Sequence, residues 1–180
     1  MMKYKVECFR LDDMGRGITR IDDKITFVPN FLPGESAIVK IISSKKKYNE
    51  AEILELIKVS EDRVNPKCPY LNCGCHLKHM LYSEQLKYKV DKVSNILYKF
   101  GGIKPPIENI LYGKYNRYRN KVTLKVQNKV GYYGNKSNEF IGISRCELAT
   151  DKINELISIL NNQDLSDVRS ITIKDFDSTM

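Results

Sequence analysis

Near the start of the chain, apolar and polar positions alternate with a period of two. Tyr4, Val6 and Cys8 fall on one side and Lys3, Lys5 and Glu7 on the other, which predicts a strand with Cys8 in a core. Gly15-Arg16-Gly17 breaks the pattern, and residues 18–21 then lead through Asp22-Asp23 into a second run at 24–28. Leu32-Pro33-Gly34-Glu35 has the residue types of a type II turn. Residues 37–42 and 52–57 complete about five short strands with a turn signal roughly every 8–12 residues, the spacing of a small barrel. The loop between the last two strands, Ser43-Ser44-Lys45-Lys46-Lys47-Tyr48, sets three lysines beside an aromatic ring.

The pattern changes after residue 60. Residues 60–80 have no period and hold Pro66, Pro69 and three of the five cysteines. Leu86, Val90, Val93, Leu97 and Phe100 then recur at steps of four, three, four and three, one apolar stripe that predicts a helix over 83–100. Ser83 is placed to cap it, Glu84 sits in its first turn, and Gly101-Gly102 stops it. Pro105-Pro106 opens a linker. Val122, Leu124 and Val126 alternate with polar residues, Asn128-Lys129 turns the chain, and 130–133 returns as the second arm of a hairpin. A further strand at 140–143, a short helix from about 151 to 161 and a strand at 168–173 complete the series. The expected class is α+β: a five-stranded barrel over 1–60, then a small α+β domain over 61–180.

Charge sharpens this division. The 180 residues carry a formal +8. Residues 1–60 hold 11 basic and 9 acidic side chains, residues 61–150 hold 16 and 7, and residues 151–180 hold 3 and 6. The middle block is where a polyanion would be drawn, because neutralising phosphates releases condensed counterions. No apolar run approaches the roughly 18–20 residues of a membrane span, and Met-Met-Lys-Tyr-Lys-Val offers no signal-peptide core. A cytoplasmic location is expected, with no membrane partner. There, five cysteines point to metal ligands, nucleophiles or plain core rather than disulfides.

Three of them, Cys68, Cys73 and Cys75, stand within eight residues in Cys-Pro-Tyr-Leu-Asn-Cys-Gly-Cys-His. Thiolates gathered in a Pro/Gly-containing loop are soft donors, as Zn²⁺ or an iron–sulfur cluster requires. Zinc sites bring their ligands in two close pairs, whereas three nearby cysteines and a distant fourth, Cys146, suit a [4Fe–4S] cluster better. Zinc stays open as the alternative, because His76 and His79 follow directly and could supply nitrogens.

These residues carry a family resemblance. The run from Cys68 through Cys-Gly-Cys-His-Leu-Lys-His-Met-Leu-Tyr-Ser-Glu-Gln-Leu to Val90 resembles the iron–sulfur motif of the bacterial RNA (uracil-5-)-methyltransferases, which modify 23S rRNA and tRNA. Tyr-Asn-Arg-Tyr-Arg-Asn-Lys at 115–121 is similar to the Tyr-Arg-Asn-Lys segment of that family, and Gly131-Tyr132-Tyr133 and Phe140-Ile141-Gly142-Ile143 to Cys146 follow in its order. Upstream, Gly15-Arg16-Gly17-Ile18, Val28-Pro29 and Leu32-Pro33-Gly34-Glu35 resemble a TRAM domain, the OB-like RNA-binding barrel that begins these enzymes. The resemblance implies a [4Fe–4S] cluster on Cys68, Cys73, Cys75 and Cys146. It also implies that helix 83–100 packs on a methyltransferase domain.

The chain departs from the family pattern in two ways. Its cysteine gaps are four residues and one, each a residue shorter than the family loop, so Gly74 must turn the chain between Cys73 and Cys75. Further, no Gly-rich strand–loop–helix for S-adenosylmethionine is present and no cysteine is left over as a nucleophile. No catalytic and no cofactor-binding residue is therefore assigned, and S-adenosylmethionine would enter only through a domain absent from these residues. The expected role is the RNA-gripping, iron–sulfur part of such an enzyme, acting on rRNA or tRNA; a stand-alone RNA-binding module or chaperone is the rival. Lys45, Lys46 and Lys47 beside Tyr48, and Arg117, Tyr118 and Arg119 beside Lys121, are the expected RNA contacts. A catalytic half supplied in trans, or a second copy, is expected on the stripe of helix 83–100.

Overall fold

The computed structural model describes residues 2–135 and 138–176, Asn72 by its backbone alone. Its contacts divide into two units: Met1–Pro66 with His76–Ile110, and Lys67–Cys75 with Leu111–Met180. The loop cysteines thus belong to the second unit, while the residues that follow them belong to the first. This partition differs from a single cut at residue 60.

In the first unit, β1 (Tyr4–Glu7), β2 (Arg10–Leu11), β3 (Gly17–Ile21), β4 (Lys24–Val28), β5 (Ser36–Ser44) and β6 (Tyr48–Lys58) form one sheet in the order β1-β5-β6-β4-β3-β2. The expectation of a closed, five-stranded barrel is corrected here. There are six strands, and the ladder runs from a β1 edge to a β2 edge without joining them. The extra strand, β2, has two residues, too few to display a period. Asp22 and Asp23 both take positive φ in the β3–β4 connection, as a two-residue hairpin of type I′ requires. The Leu32–Glu35 turn forms as expected, with Glu35 N–H donating to Leu32 O at 3.1 Å. Val6, Cys8, Val28, Phe31, Ala37, Val39 and Ala51 make the core beneath the sheet, and Cys8 is only 1% exposed.

Helix α1 (Tyr82–Gly101) closes on Gly102, whose left-handed backbone lets its N–H reach Leu97 O and Tyr98 O. The expected Ser83 cap does not form. Leu81 takes the cap position without a side-chain hydrogen bond, and Gln85 N–H bonds Leu81 O. No residue of α1 is buried. The helix is tied to the β2–β3 connection by polar contacts: Tyr88 Oη donates to Asp12 O at 2.9 Å and Lys92 Nζ to Asp13 O at 2.7 Å.

The second unit is a four-stranded sheet of β7 (Lys121–Val126), β8 (Val130–Tyr133), β9 (Phe140–Gly142) and β10 (Ser170–Lys174), all antiparallel, in the order β10-β7-β8-β9. Helix α2 (Asp151–Leu160) buries Ile153 and Ile157 in a core with Val122, Leu124, Val130, Ile143 and Ile173. Strands β8 and β9 approach so closely that a Cβ on Gly131 would lie 2.2 Å from Ile141 O. Among the described residues, no helix is long and apolar enough to cross a membrane.

Candidate functional site

The basic hairpin is the most exposed part of the first unit's candidate site. Lys45, Lys46 and Lys47 occupy the β5–β6 connection with all three side chains exposed, and Lys45 N–H closes the turn on Tyr48 O at 2.8 Å. Tyr48 sits at the base of that turn, half-buried, with its ring edge-on to Phe27 at 5.5 Å. Two residues not expected from the sequence join them. Lys24 Nζ donates to Lys45 O at 3.0 Å, holding a fourth cation beside the hairpin. Arg16, fixed by Asp12 at 2.7 Å and Glu50 at 3.2 Å, lays its guanidinium 4.3 Å from the Phe27 ring centre. Their pairing could not be read along the chain, because β4 and β6 become neighbours only through the sheet's parallel pairing.

In the second unit, Arg117 and Tyr118 are exposed. Arg117 takes a positive φ of 56°, and its Nη1 pairs with Asp151 at 3.1 Å. Arg119 is half-buried, and its backbone bridges to Ala149. Lys121 opens β7 and is exposed. The eight expected RNA contacts therefore fall into two groups of four, one on each unit.

The four candidate metal ligands all lie in the second unit. Cys73 ends a single 3₁₀ turn, Leu71–Cys73, and Gly74 reverses the chain with φ 108°, a conformation an L side chain rarely adopts. Tyr70 Oη meets Ser144 Oγ at 3.0 Å, which brings the loop to the segment carrying Cys146. All four cysteines are half-buried, and no disulfide forms. Burial, and then the proximity of Cys75, Cys68 and Cys146, pushes the Cys73 thiol above its usual range. Crowded thiols oppose one another's ionisation, and a cation among them relieves that opposition. The hydroxyl of Tyr132 is buried, with Arg119 as its neighbouring cation. Its pKa is pushed up to about 12, by burial first and then by Cys146.

The donor chemistry thus fits a thiolate-bound metal group. Among the described residues, however, no three of His, Cys, Asp or Glu stand close enough to hold a metal ion. The zinc alternative calls on His76 and His79. His79 lies in the first unit, 4% exposed, and burial with the charge of Arg63 lowers its pKa to about 4. Burial thus keeps the ring in the neutral form in which histidine ligates a metal, with the Arg63–Glu35 pair beside it.

The structure also reveals a polar centre that the sequence did not suggest. Glu35 is fully buried, and Arg63 grips it through Nε at 2.6 Å and Nη2 at 2.7 Å. Leu32 N–H and Ser60 N–H donate to the same carboxylate at 2.8 and 3.2 Å. This cluster staples the Leu32–Glu35 turn to the segment after β6.

Comparison with known proteins places these features. The TRAM domain family matches residues 4–54. A protein of Clostridium tetani named an uncharacterized RNA methyltransferase is 37% identical over 166 residues, covering 87% of this chain and 36% of its own length. The 23S rRNA (uracil(1939)-C(5))-methyltransferase RlmD of Neisseria lactamica is 31% identical over 176 residues, covering 92% and 39%. Among solved structures, the Pyrococcus abyssi tRNA (uracil-54, C5)-methyltransferase, in complex with S-adenosyl-L-homocysteine, superposes with a TM-score of 0.62 at 26% identity, over 84% of this chain and 34% of that one. The chain spans little more than a third of the length of the curated relatives it matches. Residues 4–54 match the TRAM domain family, and most of the chain is similar to proteins named as RNA methyltransferases, two of them uracil-C5 methyltransferases by name.

Proposed function

We propose that this chain grips RNA for an S-adenosylmethionine-dependent RNA (uracil-5-)-methyltransferase acting in the cytoplasm on rRNA or tRNA. The observation that carries the reading is the β5–β6 hairpin of the TRAM domain, where Lys45, Lys46 and Lys47 stand exposed beside the Tyr48–Phe27 pair. Lysines there neutralise phosphates and the half-buried rings offer an edge for a base to stack on. Arg117, Tyr118, Arg119 and Lys121 extend the grip on the second unit. S-adenosylmethionine and the reacting uracil are handled by the part of the longer relatives that these residues do not match.

Cys68, Cys73, Cys75 and Cys146 hold a metal group in this reading, a [4Fe–4S] cluster by preference. Such a group would supply a covalent tie between the cysteine loop and the Cys146 segment, 71 positions further along the chain from Cys75. The C-terminal part of the apolar stripe of α1 is exposed, Val93 at 49%, Leu97 at 38% and Phe100 at 79%, while Leu86 and Val90 are half-buried. It serves as the contact surface for the methyltransferase portion, and a second copy of the chain is the competing occupant.

The test is RNA binding measured against salt. Replacing Lys45, Lys46 and Lys47 by Ala is expected to lower the magnitude of the slope of log affinity against log salt by up to about 2–2.7, at about 0.7–0.9 per phosphate contact. An affinity independent of salt, or a slope unchanged in the triple variant, would remove the hairpin from the interface.

A further inference from the structure

One tyrosine joins the cysteine loop to its distant fourth cysteine. Tyr70 lies between Cys68 and Cys73, and its hydroxyl makes two contacts with Ser144, two residues before Cys146. It accepts a hydrogen bond from Ser144 N–H at 3.2 Å and shares another with Ser144 Oγ at 3.0 Å. Its ring packs against the core of the second unit, so the hydroxyl is presented from a fixed base. Cys146 is held in turn from α2. Asn154 Oδ1 accepts from Cys146 N–H at 2.7 Å, and Asn154 Nδ2 donates to Cys146 O at 3.1 Å. Ala149 N–H also donates to Cys146 O, so both polar groups of the Cys146 backbone are engaged.

We infer that Tyr70 and Asn154 are the positioning residues of the thiol site: Tyr70 sets the separation of the cysteine loop from Cys146, and Asn154 sets the direction of Cys146. The inference rests on reading the four thiols as a metal site. Its physical basis is pre-organisation. Bringing Cys146 to a loop more than seventy residues away costs closure entropy, and fixing both ends during folding spares the metal that cost. Residues of this kind touch no metal and act on affinity through the ligands they orient.

Two measurements on the full chain separate the positioning role from the metal reading. The first is anaerobic titration of the reduced chain with Co²⁺, followed by its thiolate-to-cobalt absorption. One cobalt per chain is expected, with affinity weakened roughly 10–100-fold in Tyr70→Phe and in Asn154→Ala. Ser144→Ala keeps the Ser144 N–H contact and should fall between them and the unmodified chain, a graded control with no ring or helix residue disturbed. The second is metal-free: the yield of a short bismaleimide bridge between Cys73 and Cys146, in a background with Cys68 and Cys75 replaced by Ser. Tyr70→Phe should lower that yield several-fold while the thermal transition is retained. If the unmodified chain takes up no cobalt on thiolates yet Tyr70→Phe still loses the bridge, the positioning role stands and the metal reading fails. If Tyr70→Phe binds cobalt as tightly as the unmodified chain and bridges equally well, the inference is overturned.

Discussion

The two units solve the same electrostatic problem in different ways. In the first, a carboxylate with no exposure at all is answered by its own chain: Arg63 and two backbone N–H groups occupy both oxygens of Glu35. In the second, a tyrosine–serine contact ties the cysteine loop to the Cys146 segment, the four thiols are half-buried, and Cys73 is pushed toward its protonated form by burial and its neighbours. A buried charge must be compensated somewhere. The TRAM unit compensates internally and so can fold its turn without help; the thiol site, on the reading proposed above, is compensated by a metal. On that reading the difference teaches where each unit is vulnerable: to substitution in the first, to chelation and oxidation in the second.

The largest effect should come from breaking the Glu35–Arg63 pair on one side only. Glu35→Ala leaves the Arg63 guanidinium short of its main partner and frees the Leu32 and Ser60 N–H groups, an expected loss of about 3–5 kcal/mol in urea unfolding. Replacing both residues by apolar ones of similar volume should recover most of that loss, since a buried pair adds little net stability over good packing. A single variant within about 1 kcal/mol of the unmodified chain would mean that water reaches the site and the internal compensation is unimportant.

Acid should reach the same unit in two steps. His79 has a folded pKa near 4 against 6.5 for the free ring, so the unfolded chain takes up its proton first. Its contribution is complete above pH 6.5 and is lost as pH falls toward 4, on the order of 3 kcal/mol at about 1.4 kcal/mol per pK unit. Glu35 follows lower down. Burial works to raise its pKa, and the hydrogen bonds from Arg63, Leu32 and Ser60 with the Arg63 charge outweigh it, so the folded value lies below 4.5. The stability it adds is present above that unfolded value and disappears as pH falls through the folded one. His79→Phe should therefore flatten the stability profile between pH 6.5 and 4 and leave the steeper fall below it. An unchanged profile in that variant would place the first step on another group.

What could be read in the sequence, and what could not, follows the range of the interactions. The second sheet and its helix were visible because Val122, Leu124 and Val126, and Ile153 and Ile157, repeat at the period of their own element. The cysteine loop was visible because three thiols crowd into eight residues. Glu35 stood in plain view as the last residue of a turn, yet its partner lies 28 positions away and no local pattern joins them. Tyr70 and Ser144 are 74 apart. Asn154 has the look of a solvent-facing helix residue, and its role appears only once the Cys146 turn is folded against α2. The expectation of a five-stranded closed barrel erred for the same reason: alternation finds strands, but a two-residue β2 and an unclosed edge are decided by pairing.

The smallest effect sharpens the comparison from the second unit's side. Gly131 on β8 lies opposite Gly142 on β9, and a Cβ at 131 would come 2.2 Å from Ile141 O and 2.9 Å from Gly142 Cα. Both contacts are backbone, so no side chain can swing aside, and β9 itself must move. Gly131→Ala is expected to cost about 1–3 kcal/mol, the range for overpacking a tight site. The loss should be local, because β9 leads directly into Ser144 and Cys146 while the TRAM core shares none of these residues. Hydrogen exchange would show it as faster exchange at β7, β8 and β9 amides with β3, β4 and β6 unchanged. If β9 is displaced, the Tyr70–Ser144 contact goes with it, so the variant should also lose part of any bound metal. Protection that falls equally in both sheets would mean that the units unfold as one, and that the contrast between a self-compensated and a metal-compensated half does not extend to their stability.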